Sequence, residues 1–363
     1  MNKVAILFSI LLGLTACNGI SGDVRQSKKI CINASQYELD FGVVPDTVSS
    51  LREQLTIYNE SSDTVKITHI DKSCGCTKLE LSNTVIPPND SVLFSINVDL
   101  GVNYSFFERE VSLYTSQKEE PLTIYVRASR LYPAQVAARE FPFVVSENLR
   151  LNTPYLIIGY ANLGEAKTAH INILNQSDKD ITYDVRIPDK PSYVSLYQDD
   201  IIKAGEVGRI TFLIDLSQID NIWGLQRYNI IVQDRNSGEE ATIPVEVIFA
   251  EKTNRLDKDA PRIMVPVTHY TINSSTQEKV EFILRNIGKK VLYIRDIQKA
   301  GTETIVLETN EVKSGTETIL TVRVKPKQTN PIEIGITTND PTEPYKILRI
   351  DCNIYLRILN IRW

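Results

Sequence analysis

Ile57-Tyr58-Asn59-Glu60-Ser61-Ser62, followed thirty residues after Asn59 by Pro87-Pro88-Asn89-Asp90 and the run Val92-Leu93-Phe94-Ser95-Ile96, decides the architecture. The same order returns as Leu174-Asn175-Gln176-Ser177, then Lys203-Ala204-Gly205-Glu206 ahead of Ile210-Thr211-Phe212-Leu213-Ile214. It returns again as Leu284-Arg285-Asn286-Ile287-Gly288, then Lys313-Ser314-Gly315-Thr316 ahead of Leu320-Thr321-Val322-Arg323-Val324. From each asparagine to the matching turn residue the interval is 30, 30 and 29 residues. Self-similarity held that closely marks one structural unit used three times.

Around these marks apolar residues alternate with period two, because successive side chains of a strand point to opposite faces. Val92, Phe94 and Ile96 share one face; so do Ile210, Phe212 and Ile214, and Leu320, Val322 and Val324. Each unit closes on a further alternating run: Leu122 to Val126, Ile243 to Val247 and Leu348 to Ile354. Pro244 inside the second implies an edge strand or a bulge, since proline donates nothing to a ladder. Past the N-terminal segment no long stretch has helical periodicity, and turn dipeptides recur about every ten residues. The pattern predicts an all-β protein of three tandem immunoglobulin-like β-sandwiches, over 31–131, 137–250 and 261–363, with short connectors at Leu131 to Glu140 and Glu251 to Arg262.

With 363 residues, 40 Lys+Arg and 45 Asp+Glu, the chain has a formal charge of −5 and no basic stripe, which argues against a nucleic-acid partner. Only 3 His and 5 Cys are available for metal or nucleophilic chemistry. His170 and His269 have no Ser or Asp at triad spacing, and no phosphate-cradling glycine loop is present, so a non-enzymatic role without a cofactor is expected.

Met1-Asn2-Lys3 gives a positive start and Val4 to Leu14 an apolar run too short to span a bilayer, the form of a signal peptide over 1–16. Leu14-Thr15-Ala16-Cys17 resembles the bacterial lipoprotein signal. That resemblance implies acylation of Cys17, palmitate included, a tether over 17–30, and a membrane contact made through lipid. By the same analogy Asn18, rather than an acidic residue, after the cysteine favours the outer membrane, facing the periplasm.

Leu39-Asp40-Phe41-Gly42-Val43-Val44, Tyr58-Asn59, Ser73-Cys74-Gly75-Cys76-Thr77 and the Pro-Pro-Asn-Asp turn together resemble the bacterial domain of unknown function numbered fifteen seventy-three, a family similar to the ASH, or major-sperm-protein-like, branch of immunoglobulin-like sandwiches. The third unit shares Asn286-Ile287-Gly288 and Thr337-Thr338-Asn339-Asp340-Pro341 but not the cysteines; the second keeps only spacing and strand pattern. The resemblance implies an envelope-exposed β domain of unassigned task; the lipoprotein signal, the threefold repeat and the missing catalytic set lead to the expectation of a lipid-anchored protein that presents a surface to, or scaffolds, an envelope protein partner.

Cys-Gly-Cys is the constellation with chemistry in it. In an extended strand the two Cα atoms would stand about 6.6 Å apart, so a bond between them needs a turn at Gly75. Three readings stay open: a structural pair, a redox dithiol, and a soft-metal site for Cu or Zn with His69 as an extra ligand. His69 also continues the face of Val65 and Ile67, a pattern that puts its imidazole in the core. Cys31 is a candidate to bridge to Cys74 or Cys76, and Cys352 reads as a buried small apolar residue. Trp223 and the Tyr104 to Phe107 run place aromatics near loops, for packing or for a partner surface. Thr47, Thr64 and Ser91 each follow an Asp and precede an aliphatic residue, the short pattern of O-glycosylation in some Gram-negative envelopes.

Overall fold

The computed structural model describes residues 32–116, 118–275, 279–299 and 304–353. The expected signal peptide over 1–16, Cys17, the expected tether over 17–30 and Cys31 lie outside the described residues. The chain is all-β: six sheets form three successive two-sheet sandwiches, with one described helix, Ala134–Glu140. Its described residues divide into two compact units, one holding residues 32–39, 52–98 and 109–125 of the first sandwich, the other residues 40–51, 99–108 and those from Val126 onward.

The repeat seen in the sequence is a repeat of topology. In the first sandwich Ile32–Ala34, Ser50–Asn59, Ser91–Asp99 and Thr77–Leu81 lie side by side in that order; Glu38–Val44, Lys118–Arg130, Ser105–Thr115, Val65–Lys72 and Val85–Ile86 form the facing sheet. Counted in chain order, these strands give sheets 1-3-7-5 and 2-9-8-4-6. The third sandwich repeats both orders, and the second does so with one extra edge strand, Phe143–Val144. In the second and third the second strand runs parallel to the last: Leu156–Asn162 beside Glu240–Ala250, and His269–Asn273 beside Tyr345–Asn353. Pro244 is therefore not on an edge strand. It pairs with Asn229 on one side and stands one residue before the parallel partner begins at Leu156 and Val245, so its missing N–H interrupts no ladder there.

Alternation builds the cores. Leu55, Ile57, Phe94, Ile96, Leu113 and Ile124 are sealed inside the first sandwich. Ile210, Phe212, Ile214, Tyr183 and Phe249 fill the second, and Phe282, Leu320, Val322 and Ile336 the third, where Cys352 is also buried.

The recurring asparagine is the tie that joins the end of each third strand to the turn before the seventh. Asn59 Nδ2 donates to the carbonyls of Asp63, Ile86 and Pro87 at 2.8, 2.9 and 3.0 Å, while its Oδ1 accepts from Ser61 N–H at 3.0 Å. Asn175 does the same with Lys179, Ile202, Lys203 and Ser177, and Asn286 with Lys290, Val312 and Gly288. Backbone carbonyls on both sides of the turn, among them the buried ones of Ile86, Ile202 and Val312, are thus paired by one side chain. The residue 30, 30 or 29 positions on is Asn89, Gly205 or Gly315, each at positive φ (54°, 71° and 73°) in the tight turn, a conformation that suits glycine and asparagine. The interval read from sequence is the distance along the chain between these two halves of one device.

Two connectors are built rather than loose. After the first sandwich the chain folds into the Ala134–Glu140 helix, which lays Ala137 and Phe141 against Leu174 with Tyr132 beside them. Tyr104, expected near a loop, stacks on Tyr132 at 5.3 Å and lies under the Arg130 guanidinium at 5.0 Å, so it packs at this junction. Between the second and third sandwiches, Gln298 accepts from Leu225 N–H at 2.6 Å and donates to the Trp223 and Leu225 carbonyls, both at 3.1 Å. Gly224, at φ 75°, leaves the room that Gln298 occupies. Arg295 pairs with Glu251 at 2.8 Å and spreads over the Trp223 ring. Burial here pushes the Tyr345 and Tyr160 phenols above their ordinary range, helped for Tyr160 by the charge of Glu343.

Candidate functional site

The Cys74–Cys76 pair sits where the first sandwich turns its corner. Strand Val65–Lys72 runs antiparallel to Ser105–Thr115, and Ser73 ends that pairing by donating N–H to the Glu110 carbonyl at 3.0 Å while its hydroxyl accepts from Glu110 N–H at 2.9 Å. The chain then crosses to the other sheet, entering Thr77–Leu81, which pairs with Ser91–Asp99 from Thr77 opposite Val98. Cys74, Gly75 and Cys76 are the crossing.

The crossing is a closed turn, held by Thr77 N–H donating to the Cys74 carbonyl at 3.2 Å. The turn draws the two Cα atoms to 5.2 Å and joins the sulfurs in a disulfide. This is the geometry that a bend at Gly75 was expected to permit. Thr77 is fully buried and anchors one end; Gly75 is exposed and the two cysteines are half-buried. A methyl at Gly75 would meet nothing within 4 Å, so the tip of the turn opens on solvent. Cys76 N–H points back at Cys74 Sγ, 3.1 Å away. The Lys72 ammonium donates to the Thr77 carbonyl, placing a positive charge across the base of the turn. Sequence reasoning passed over Lys72, and only its place two residues before the motif could have pointed to it.

His69 departs from expectation. The strand is buried at Val65 and Ile67, but its register against Ser105–Thr115 shifts between Ile67 and His69. The irregularity turns the imidazole outward, where it bonds Asp71 at 2.7 Å and faces the Tyr114 ring at 6.0 Å. The core position inferred from period two is thus corrected: a single slip reverses the face. Among the described residues no three His, Cys, Asp or Glu side chains converge as a metal site requires, so His69 is not brought into one with the two cysteines. With Cys74 and Cys76 bonded to each other, neither sulfur is open to Cys31.

Thr47, Thr64 and Ser91 are all exposed, Thr47 in the Pro45–Val48 turn and Ser91 at the head of its strand. His269 bonds Asp351 at 2.8 Å across the parallel pair, and Asp351 also takes Arg349 at 2.8 Å; the Arg349 and His269 partners hold the carboxyl below the usual carboxylate range. His170 bonds Thr211 at 3.0 Å. No helix among the described residues is long and apolar enough to cross a membrane.

Fold and site together define a protein of tandem immunoglobulin-like sandwiches whose first module carries a disulfide in a solvent-facing turn. Residues 32–129, the module with that turn, match the family described as Protein of unknown function (DUF1573). No curated protein matches the chain. Among solved structures it is similar to a protein of unknown function from Porphyromonas gingivalis W83 (19% identity, TM-score 0.40, covering 57% of this chain and all of that one). It is also similar to the endo-fucoidan hydrolase MfFcnA4 of glycoside hydrolase family 107 (11%, TM-score 0.26, 87% and 43%) and to the human desmocollin-1 ectodomain (13%, TM-score 0.23, 91% and 60%).

Proposed function

We propose that this is a lipid-anchored, non-enzymatic protein of the cell envelope, held to the outer membrane through Cys17 and facing the periplasm, whose ASH-like sandwiches present or scaffold interactions with other envelope proteins. The observation that carries the reading is the joint between the second and third sandwiches. Gln298 makes three hydrogen bonds with the neighbouring module's backbone, accepting one and donating two, and Arg295 an ion pair with Glu251. A joint of this kind fixes the spacing between modules, which a presenting scaffold needs and a flexible tether does not. The Leu-Thr-Ala-Cys signal supports the anchor, and the charge of −5 leaves a protein partner favoured over nucleic acid.

The test is photo-cross-linking in intact cells from surface positions of each sandwich, read by mass spectrometry, together with fractionation of a Cys17→Ser variant. Reproducible envelope neighbours, and loss of the variant from the membrane fraction, are expected. An unchanged membrane fraction removes the anchor, and the lack of any recurrent neighbour removes the scaffold.

The bonded Cys74–Cys76 turn favours a second reading, in which the first sandwich takes part in thiol chemistry.

A further inference from the structure

The turn is asymmetric. One sulfur, on Cys74, receives a backbone N–H at 3.1 Å, whereas Cys76 Sγ has only the Thr77 hydroxyl at 4.0 Å, and the Lys72 ammonium is fixed on the Thr77 carbonyl where the chain leaves the turn. Breaking a disulfide by thiolate attack sends an electron pair onto the departing sulfur, and the sulfur whose anion is better stabilised departs faster. A hydrogen bond to the anion supplies that stabilisation, and Cys74 Sγ holds the shorter one. Access is open as well: Gly75 is exposed, a side chain there would touch nothing, and Thr77–Leu81 is the outermost strand of its sheet.

We propose that the Cys74–Cys76 turn is a thiol–disulfide exchange site for protein dithiols, in which the incoming thiolate attacks Cys76 Sγ and Cys74 is the leaving sulfur. This rests on the second reading above and adds its direction. In the first step the partner's sulfur bonds to Cys76 Sγ as the Cys74–Cys76 bond breaks, its electron pair going to Cys74. In the second, the partner's other thiolate attacks its own sulfur in the mixed disulfide and Cys76 departs. The partner's dithiol is oxidised to a disulfide, the Cys74–Cys76 disulfide is reduced, and the two thiol protons pass to the two cysteines. The same steps reversed let the reduced pair reduce a partner disulfide.

The experiment uses the full mature chain with glutathione and dithiothreitol as probes. Redox buffers of glutathione should interconvert the pair reversibly while hydrogen exchange in strand Ser91–Asp99 stays protected. Rapid quenching of the oxidised chain with limiting reduced glutathione should place the adduct on Cys76 at least about tenfold more often than on Cys74, which needs no variant. In reduced chains the Cys74 thiol of Cys76→Ser should alkylate with a midpoint about one pH unit below that of the Cys76 thiol of Cys74→Ser. In cells Cys74→Ser should retain mixed disulfides with protein partners through Cys76. A pair that glutathione does not reduce, or whose reduction unfolds the first sandwich, overturns the second reading and this inference together. Reversible reduction with adducts divided evenly, or on Cys74, overturns the direction alone. Neither outcome touches the scaffold, which cross-linking decides.

Discussion

Asn175→Ala is the substitution that most directly tests the device on which the threefold repeat is built. The side chain is wholly buried, and its amide donates to the Lys179, Ile202 and Lys203 carbonyls at 2.7, 3.0 and 3.1 Å. Its oxygen accepts from Ser177 N–H and hydroxyl at 2.9 and 2.8 Å. Truncation leaves the buried Ile202 carbonyl without this partner, worth about 1–3 kcal/mol, while water can partly replace the half-exposed remainder at about 0.5–1 kcal/mol each. A total of about 3–7 kcal/mol corresponds to a rise of roughly two to five orders of magnitude in the exchange of amides that open with the module. The assay is hydrogen–deuterium exchange by mass spectrometry on the full chain, following peptides over Ala166–Asn175 and Val207–Asp215. Protection should fall there and remain over Lys279–Asn286.

Asn175→Asp sharpens the test because it keeps the shape and reverses the chemistry. A carboxylate would face three carbonyl oxygens, so the folded state holds its proton more tightly than the unfolded chain does, and the carboxyl range rises above about 3.9. Below that value both states carry the proton and no ionisation cost is present. As pH climbs from there toward the raised folded value the unfolded chain is increasingly favoured, and above it the loss levels off. The aspartate variant should therefore be closest to the native protein near pH 4 and weakest near neutrality. An alanine variant costing under about 1 kcal/mol, or an aspartate variant insensitive to pH, would refute the claim that this side chain ties the turn.

Three other perturbations follow from the same contacts. Gln298→Ala removes the three hydrogen bonds of the second joint, so scattering and relaxation measurements should show freer motion between those sandwiches while each keeps its own exchange protection. Asp296 is half-buried and desolvation raises its carboxyl against the opposing pull of the Ile297 N–H. Its folded form thus favours the proton, and Asp296→Asn should raise the melting temperature of the third sandwich at neutral pH, with the gain shrinking as pH falls through the carboxyl's folded range. Intact mass of the mature chain from envelope extracts should exceed sequence plus lipid by whole glycan units if Thr47, Thr64 or Ser91 is modified, and a mass equal to sequence plus lipid excludes it.

How far the sequence could be read depends on whether a residue's role is set locally or across the fold. Asn59, Asn175 and Asn286 were visible because each acts on a turn at a fixed distance along the chain, so the physical constraint is also a spacing. Gly75 was legible for the same reason: two cysteines one residue apart bond only if the chain bends between them. His69 was misplaced because a register shift is decided by the partner strand, which the local pattern does not contain. Gln298 left no mark, since its partners lie 73 and 75 residues away on another module, beyond the reach of any local pattern.

The same distinction bears on function. The device that builds each module recurs in all three sandwiches, Asn59, Asn175 and Asn286 differing little in their bonds, so it cannot by itself give one module a separate task. The cysteine turn occurs once, in the module that matches the DUF1573 family, at a corner where the other two sandwiches carry other residues. The second joint also occurs once, and its Arg295–Glu251 pair and Gln298 clamp serve no core. Features that the shared fold does not require are those whose removal should leave each module standing while changing what the chain does, which is the contrast that Gln298→Ala and the cysteine variants are placed to measure.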